Sequence, residues 1–252
     1  MTLDVADDLA ELALEIDQLR AEEVLKWALE RFHPRIGFAS SFGAEDVVVI
    51  HLLAQLRQDV RIFTLDTGRL HEETYDVMER IRARYGVTID IYFPDQAEVE
   101  TLERTKGLYS FRQSLEARKE CCRIRKVEPL RRALGPLDAW ITGLRREQAV
   151  TRGRLAKLEQ DLTLPTGIWK VNPIADWTQD QVWDFIKAHH VPYNALHDRN
   201  FPSIGCAPCT RSVAPGEDVR AGRWWWETPE QKECGLHGAD RNKRVTGKLK
   251  SI

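Results

Sequence analysis

A strand, a turn and the start of a helix follow one another in the stretch Ile36-Gly37-Phe38-Ala39-Ser40-Ser41-Phe42-Gly43-Ala44-Glu45-Asp46. Its first residues form an apolar run of strand length, and a helical pattern continues from residue 44 to residue 56. Backbone amides at a helix N-terminus bind phosphate or sulfate, so the turn is a candidate anion site. The turn matches neither a Walker loop nor a dinucleotide fingerprint, and an ordinary βα turn remains an alternative.

The same alternation of apolar and helical stretches continues along the chain. Further strands are predicted at residues 60–65, 89–93 and 139–142, and further helices at residues 70–85, 122–134 and 177–189. Strands that alternate with helices indicate parallel strand pairs connected by crossover helices. The sequence therefore predicts an α/β fold, with a parallel-rich open sheet flanked by helices.

Small or polar turns end three of the predicted strands, at residues 40–43, at residues 66–68 and at Gly143. Ligands of open α/β sheets bind at the carboxyl ends of the strands, so we expect the three turns to converge on one pocket. Basic residues cluster beside cysteines or glycine turns, at residues 104–132, 145–157 and 241–250. This clustering favours an anionic ligand.

Composition and charge argue against several classes of protein. The formal net charge of -2 offers no electrostatic case for binding nucleic acid or a membrane surface. No apolar run approaches the roughly 20 residues that a membrane span needs, and the first residues lack a basic start and an apolar core typical of a secretory signal. We expect a cytoplasmic protein that binds neither nucleic acid nor membrane.

The character of the sequence changes after Pro202. Proline and glycine become frequent, three of the five cysteines lie here, and Trp224, Trp225 and Trp226 are consecutive. Three consecutive tryptophans are not typical of a disordered segment. We predict a nucleotide-binding and cysteine-bearing domain over residues 1–215, and a mobile C-terminal tail over residues 216–252 that folds over the sheet.

Four of the cysteines fall into two pairs. Cys121 and Cys122 are adjacent, and Cys206 and Cys209 form a Cys-Ala-Pro-Cys pair. Four thiolates from two segments are typical of a four-cysteine metal or iron–sulfur site. A structural zinc site remains open, although zinc sites rarely use adjacent cysteines. Disulfides are disfavoured in a reducing compartment.

The fifth cysteine, Cys234, lies in Lys232-Glu233-Cys234-Gly235-Leu236-His237-Gly238. Nearby cations favour the thiolate, which is the reactive form of the side chain. An unpaired cysteine is more often a free thiol without a role. The neighbouring glycine and basic residues make Cys234 a candidate nucleophile.

Seven motifs, in this order, resemble the assimilatory adenylylsulfate reductases, also called the APS/PAPS reductase family, of the adenine-nucleotide α-hydrolase-like folds. They are Ser-Phe-Gly-Ala-Glu-Asp (41–46), Leu-Asp-Thr-Gly-Arg (65–69), Cys-Cys-x-x-x-Lys (121–126), Thr-Gly-Leu-Arg-Arg-Glu-Gln (142–148), Gly-Cys-x-x-Cys-Thr (205–210), Gly-Arg-Trp-Trp-Trp-Glu (222–227) and Lys-Glu-Cys-Gly-Leu-His (232–237). The resemblance extends from about residue 39 to residue 238, and the last two cysteine motifs are the most specific part of it.

The resemblance implies a chemistry. One [4Fe-4S] cluster is bound by Cys121, Cys122, Cys206 and Cys209. Cys234 attacks the sulfate sulfur of adenosine 5′-phosphosulfate (APS), which releases AMP and leaves an S-sulfocysteine, and thioredoxin or glutaredoxin then frees sulfite. No second Cys-x-x-Cys pair remains in the sequence, so we expect the reductant to be a separate protein.

The resemblance also implies the substrate contacts. Lys126 lies between cluster and substrate, while Arg220 and Arg223 bind the phosphosulfate. The remaining implied site residues are Ser41, Phe42 and Gly43 at the phosphate, Leu65, Asp66, Thr67, Gly68 and Gly143 at the adenosine, Arg145 and Arg146 in the neighbouring basic loop, and His237 assisting Cys234.

Several alternatives stay open. Cluster cysteines favour APS over 3′-phospho-APS, but some cluster-bearing members accept both substrates. Ala149 follows Gln148 where many members carry serine, which puts one loop contact in doubt. An adenylating ATP pyrophosphatase is disfavoured by the 41–46 motif, and a zinc-stabilised nucleotide-binding module has no use for Cys234. The oligomeric state stays open, and a homo-oligomer is one alternative.

Overall fold

A computed structural model of the chain describes residues 5–149, 152–161, 164, 167–228 and 232. Within them, one six-stranded sheet has the order β3-β2-β1-β4-β6-β5. All neighbouring strands are parallel except β5 and β6. The strands are β1 (Ile36–Ala39), β2 (Arg61–Leu65), β3 (Ile89–Tyr92), β4 (Ala139–Ile141), β5 (Leu158–Asp161) and β6 (Ile168–Val171).

Helices connect and cover these strands, which confirms the predicted α/β class. They are α1 (Val5–Gln18), α2 (Ala21–Phe32), α3 (Ala44–Leu56), α4 (Glu72–Tyr85), α5 (Gln96–Lys106), α6 (Leu115–Cys122), α7 (Glu128–Leu134) and α8 (Gln179–Ala188). Within the described residues, none of these helices is both long enough and apolar enough to cross a membrane.

The predicted element bounds agree closely with the structure where the sequence pattern is periodic. Helix α3 begins and ends at the predicted residues, and its middle, from Val47 to Leu53, is buried throughout. Helix α8 begins after the predicted cap Thr178, whose hydroxyl accepts from the Gln181 amide at 3.1 Å. The Gln181 side chain accepts from the Thr178 amide at 2.7 Å, so the two residues form a capping box.

The helix predicted at residues 122–134 is the second half of a longer one. It begins after the cap Ser114, runs through α6, a π-helical segment (Arg123–Val127) and α7, and ends at Leu134. The π-helical segment carries Lys126 immediately after the first cysteine pair. Wider turns of this kind occur frequently at functional sites.

Strands β5 and β6 were not predicted from the sequence. Strand β5 (Leu-Glu-Gln-Asp) is a polar edge strand, and Lys170 interrupts the apolar pattern of β6. The Lys170 side chain is nevertheless buried, with Nζ 5.5 Å from the centre of the Trp140 ring. Tertiary packing, which a local pattern does not contain, therefore decides these two strands.

The first part of the predicted tail packs onto the domain. Arg223 pairs with Thr210 in an antiparallel bridge, and Trp224 is 1% exposed. The predicted boundary between residues 215 and 216 stays a prediction, since residues 229–231 and 233–252 lie outside the described part of the chain.

Candidate active site

A cleft of about 570 Å³ opens at the carboxyl ends of β1, β2 and β4. Its lining includes Ser41 and Gly43 after β1, Thr67 after β2, and Gly143 after β4. The predicted convergence of the three turns is thus confirmed. Their binding roles stay predictions.

The turn after β1 is held in an unusual conformation. Phe42 has a φ of 58° and its amide donates to Ser40 Oγ at 3.1 Å. The Phe42 side chain is buried in the core, so this residue shapes the turn through its backbone and does not line the cleft. Ser41 donates to Asp46 Oδ2 through its amide at 2.5 Å and its hydroxyl at 2.8 Å.

Asp46 explains why the turn after β4 needs glycine. A Cβ atom on Gly143 would lie 2.2 Å from Asp46 Oδ1, far inside van der Waals contact. Burial raises the pKa of Asp46 to about 6, against the Ser41 hydrogen bonds, which lower it. The Asp46 carboxylate therefore fixes the first turn through Ser41 and lies closely against Gly143 of the third turn.

The turn after β2 is held by residues that lie outside the lining of the cleft. Asp66 does not line the cleft. Its carboxylate accepts hydrogen bonds from the Gly68 amide at 2.8 Å and from the Tyr75 hydroxyl at 2.9 Å. Buried Arg125 donates to the Thr67 carbonyl at 2.6 Å and also bonds Glu103. Leu65 and Thr67 line the cleft, whereas Asp66 and Gly68 set the shape of the turn.

The two arginines of the basic loop have different surroundings. Arg145 lines the cleft and forms ion pairs with Glu45 at 2.8 Å and with Glu147 at 3.3 Å. Arg146 donates to Asp17 of α1 at 2.7 Å and does not line the cleft. We therefore assign Arg146 to the attachment of α1.

Arg223 is a buried cation at the junction of the site, 7% exposed. Its Nη1 atom donates to the Ile204 carbonyl at 3.1 Å, while Nε is buried without a hydrogen-bond partner. Among the described residues, no carboxylate lies within ion-pair distance of Arg223. A Cβ atom on Gly205 would lie 2.4 Å from Arg223 Nη2, so this glycine makes room for the guanidinium.

The four paired cysteines meet in a second, smaller cavity of about 20 Å³. Lys126, Arg223 and Trp224 line both this cavity and the cleft. The full lining is Arg69, Phe111, Arg118, Cys121, Cys122, Arg125, Lys126, Cys206, Cys209, Arg223 and Trp224. The structure thus joins two cysteine pairs that are more than 80 residues apart in the sequence.

The thiols differ in their electrostatic surroundings. Burial raises the pKa of Cys209 to about 12, and the neighbouring Cys206 sulfur adds to this effect. Burial also opposes ionisation of Cys206, but Lys126 and a 3.3 Å contact with the Thr67 hydroxyl outweigh it and lower its pKa. Cations around the cavity therefore favour anionic sulfur at Cys206.

The cysteines are gathered but not arranged as a finished metal site. Within the described residues, no three His, Cys, Asp or Glu side chains are placed to hold one metal ion. The chemistry of the donor set nevertheless fits an iron–sulfur cluster, because four sulfurs line one cavity surrounded by cations. The cluster itself stays a prediction.

Arg220 links the cleft to the last motif. It lines the cleft, and its Nη2 atom donates to the Lys232 carbonyl at 2.7 Å. Lys232 Nζ in turn donates to the Ala221 carbonyl at 3.3 Å. Cys234 and His237, the predicted nucleophile and its assisting residue, lie outside the described residues.

Sequence reasoning missed several residues of the cleft. Asp46, Arg152 and Gly205 line it, and none of them was singled out. Arg152 is 6% exposed and donates to Gln148 Oε1 at 2.5 Å. Each of the three belongs to a motif or basic cluster that the sequence already indicates: Asp46 to residues 41–46, Gly205 to residues 205–210 and Arg152 to residues 145–157. Membership of these segments is the sequence signal that could have identified them.

A family model for the phosphoadenosine phosphosulfate reductase domain matches residues 35–212, which span all six strands and both cysteine pairs. The chain belongs to the phosphoadenosine phosphosulfate reductase domain family. The match ends before Arg220, Arg223 and Cys234, so these three residues rest on the motifs and on the geometry.

Relatives in this family cover most of the chain. The chain is 51% identical to an adenosine 5′-phosphosulfate reductase of Burkholderia cepacia, over 90% of the chain and 89% of that protein. It is 53% identical to one of Allochromatium vinosum, over 80% of the chain and 78% of that protein. A phosphoadenylyl-sulfate reductase from Candida auris, solved as a phosphate complex, superposes with a TM-score of 0.69 at 29% identity, covering 84% and 99% of the two chains.

Proposed function

We propose that this chain is a reductase that converts APS to sulfite and AMP in sulfate assimilation. The observation that carries the proposal is Arg223, a buried guanidinium without a carboxylate partner among the described residues, at the junction of the cleft and the cysteine cavity. A buried cation of this kind is costly unless an anion compensates it. A phosphosulfate in the cleft supplies that anion, and the two bacterial relatives carry this substrate in their names.

The proposed reaction has two steps. The Cys234 thiolate attacks the sulfate sulfur of APS, which forms a sulfur–sulfur bond and releases AMP with the electron pair of the broken bond. A thiolate of thioredoxin or glutaredoxin then attacks the Cys234 sulfur and expels sulfite. The second thiol of the reductant resolves the mixed disulfide, so the dithiol loses the two electrons that the sulfur gains.

The geometry of the cleft supports these steps. Lys126 and Arg223 line both cavities and place positive charge where the phosphosulfate gains negative charge. Arg220 lines the cleft and also holds the Lys232 carbonyl, two residues before Cys234. The same side chain can thus bind the anion and hold the backbone at Lys232 beside the cleft.

We propose that Cys121, Cys122, Cys206 and Cys209 bind a [4Fe-4S] cluster. When bound, such a cluster adds four thiolate-liganded irons and a net negative charge beside Lys126. Lys126 and Arg223, which line the cavity, would offset part of that charge, whereas Arg69 and Arg125 are paired with Glu103 and Arg118 is paired with Glu227. Lys126 lines both the cavity and the cleft and would therefore contribute positive charge to both.

Iron content tests the cluster proposal. Anaerobically purified protein is expected to be brown and to contain about four irons and four sulfides per chain. Replacing Cys209 by serine should remove most of the iron, since the pocket loses one of its four sulfurs. The variant Cys234→Ser is the matched control and should keep its iron. Stoichiometric zinc without iron or sulfide would instead identify a zinc-stabilised module.

Substrate choice is a separate prediction. Sulfite release should show a higher kcat/KM with APS than with 3′-phospho-APS when reduced thioredoxin is supplied. The paired cysteines motivate this preference. A preference of tenfold or more for 3′-phospho-APS, about 1.4 kcal/mol in transition-state binding, would contradict it. Absence of sulfite from both substrates would contradict the proposed function as a whole.

A further inference from the structure

A patch of exposed apolar side chains lies beside the cysteine cavity. Leu108 and Tyr109 are 58% and 60% exposed, and Trp225 is 38% exposed. With Arg112 and the half-buried Trp226 they form what we call the aromatic patch. Large apolar side chains that cluster at the surface mark interaction sites far more often than isolated ones do.

Arg112 holds the aromatic patch together. Its guanidinium lies 5.1 Å from the centre of the Tyr109 ring and 5.4 Å from those of both Trp225 and Trp226. Its Nη2 atom donates to the carbonyl of Pro208, which lies between Cys206 and Cys209. The patch is therefore attached directly to the second cysteine pair.

A buried ion pair holds the tryptophan side of the patch in place. Glu227 accepts from Arg118 at 2.9 and 2.8 Å, and the two side chains are 5% and 1% exposed. The Arg118 guanidinium also lies 4.6 Å from the centre of the buried Trp224 ring. Trp225 is exposed on a turn that its neighbours fix, so its exposure is a property of the folded domain.

The charge of the patch is not compensated locally. Arg112 is exposed, and no carboxylate lies within ion-pair distance of it in the part of the chain that the structure describes. Arginine surrounded by tryptophan and tyrosine is the composition of binding hot spots. The patch therefore fits a partner that offers an apolar surface with a carboxylate at its edge.

We infer that the aromatic patch is the docking surface for the protein dithiol that reduces the Cys234 adduct. This inference rests on the proposed function, whose second step needs a protein partner at Cys234. Cys234 follows Trp225 by nine residues, and nine residues span at most about 32 Å. A small domain is roughly 30 Å across, so one partner can contact the patch and reach the Cys234 sulfur.

The choice of reductant separates binding of the partner protein from the chemistry at Cys234. The double variant Leu108→Ser/Tyr109→Ser should lower kcat/KM for reduced thioredoxin roughly tenfold, as the loss of a central apolar contact does. Turnover driven by dithiothreitol, which needs no docking surface, should change less than twofold, and so should the rate of Cys234 adduct formation from APS. Arg112→Glu should also weaken thioredoxin use, and more so at low salt.

Ile91→Ser/Phe93→Ser is the matched control. Ile91 lies in edge strand β3 and Phe93 directly follows that strand. The two side chains are 48% and 54% exposed, and their loss should leave thioredoxin use unchanged. Unchanged kcat/KM for thioredoxin in the folded patch variant would overturn the inference. Equal losses of activity with dithiothreitol and with thioredoxin would also overturn it, and would indicate that residues 233–252 of the same chain bind the patch. A change of oligomeric state in the patch variant would indicate that a second copy of this chain binds there. Absence of sulfite with either reductant in the unaltered protein would contradict the proposed function and not the docking surface alone.

Discussion

Replacement of Cys234 by serine is expected to lower sulfite release from APS at least about a thousandfold, because an alcohol is far less acidic and far less nucleophilic than a thiol at neutral pH. Iron content and APS binding should not change, since Cys234 lies outside both cysteine pairs that line the small cavity. The measurement is single-turnover sulfite release with reduced thioredoxin, alongside equilibrium binding of APS.

Mass spectrometry of the S-sulfocysteine adduct tests the role of Cys234 more directly. Stoichiometric APS without reductant should add one SO3 group, about 80 Da, to the unaltered protein and nothing to Cys234→Ser. Cleavage after lysine and arginine places Cys234 alone on residues 233–241, the first cysteine pair on residues 120–123 and the second on residues 200–211. Reduced thioredoxin should remove the added mass from residues 233–241. An adduct on either of the other two peptides, or near-normal turnover of the serine variant, would refute the mechanism.

Replacement of Arg223 by alanine is expected to lower kcat/KM for APS by about two to three orders of magnitude, the cost of removing one charged donor from a site that stabilises developing negative charge. Arg223 is buried and packs on Trp224 at 4.6 Å, so thermal unfolding and iron content must be measured on the same preparation. Arg223→Lys keeps the charge but not the planar fork, and should recover only part of the activity.

Arg211→Ala provides the comparison for Arg223. Arg211 belongs to the same segment, but it is bonded to Glu217 at 2.9 Å near the surface and is absent from the lining of both cavities. An exposed ion pair contributes little, so this variant should retain activity within about twofold. Equal losses in the two variants, or loss of iron with normal APS binding in Arg223→Ala, would show that the role given to Arg223 is wrong.

Elements whose pattern is local and periodic could be predicted from the amino-acid sequence. The alternation of apolar and helical stretches predicted β1 to β4, helix α3 to the residue, and the class of the fold, because burial of one face imposes a regular spacing along the chain. Because ligands of open α/β sheets bind at the carboxyl ends of the strands, the turns that carry Ser41, Thr67 and Gly143 were also predicted to share one cleft, and all three residues line it. The motifs also singled out Arg223 and the four cysteines.

Which of the predicted residues face the cleft depends on tertiary contacts. Arg145 and Arg146 are neighbours in the sequence, yet one lines the cleft and the other bonds Asp17 on α1. Gly143 and Gly205 look like ordinary turn glycines until Asp46 and Arg223 are seen against them. Such contacts join segments distant in sequence, and their energies depend on burial and on charge partners that no local pattern contains.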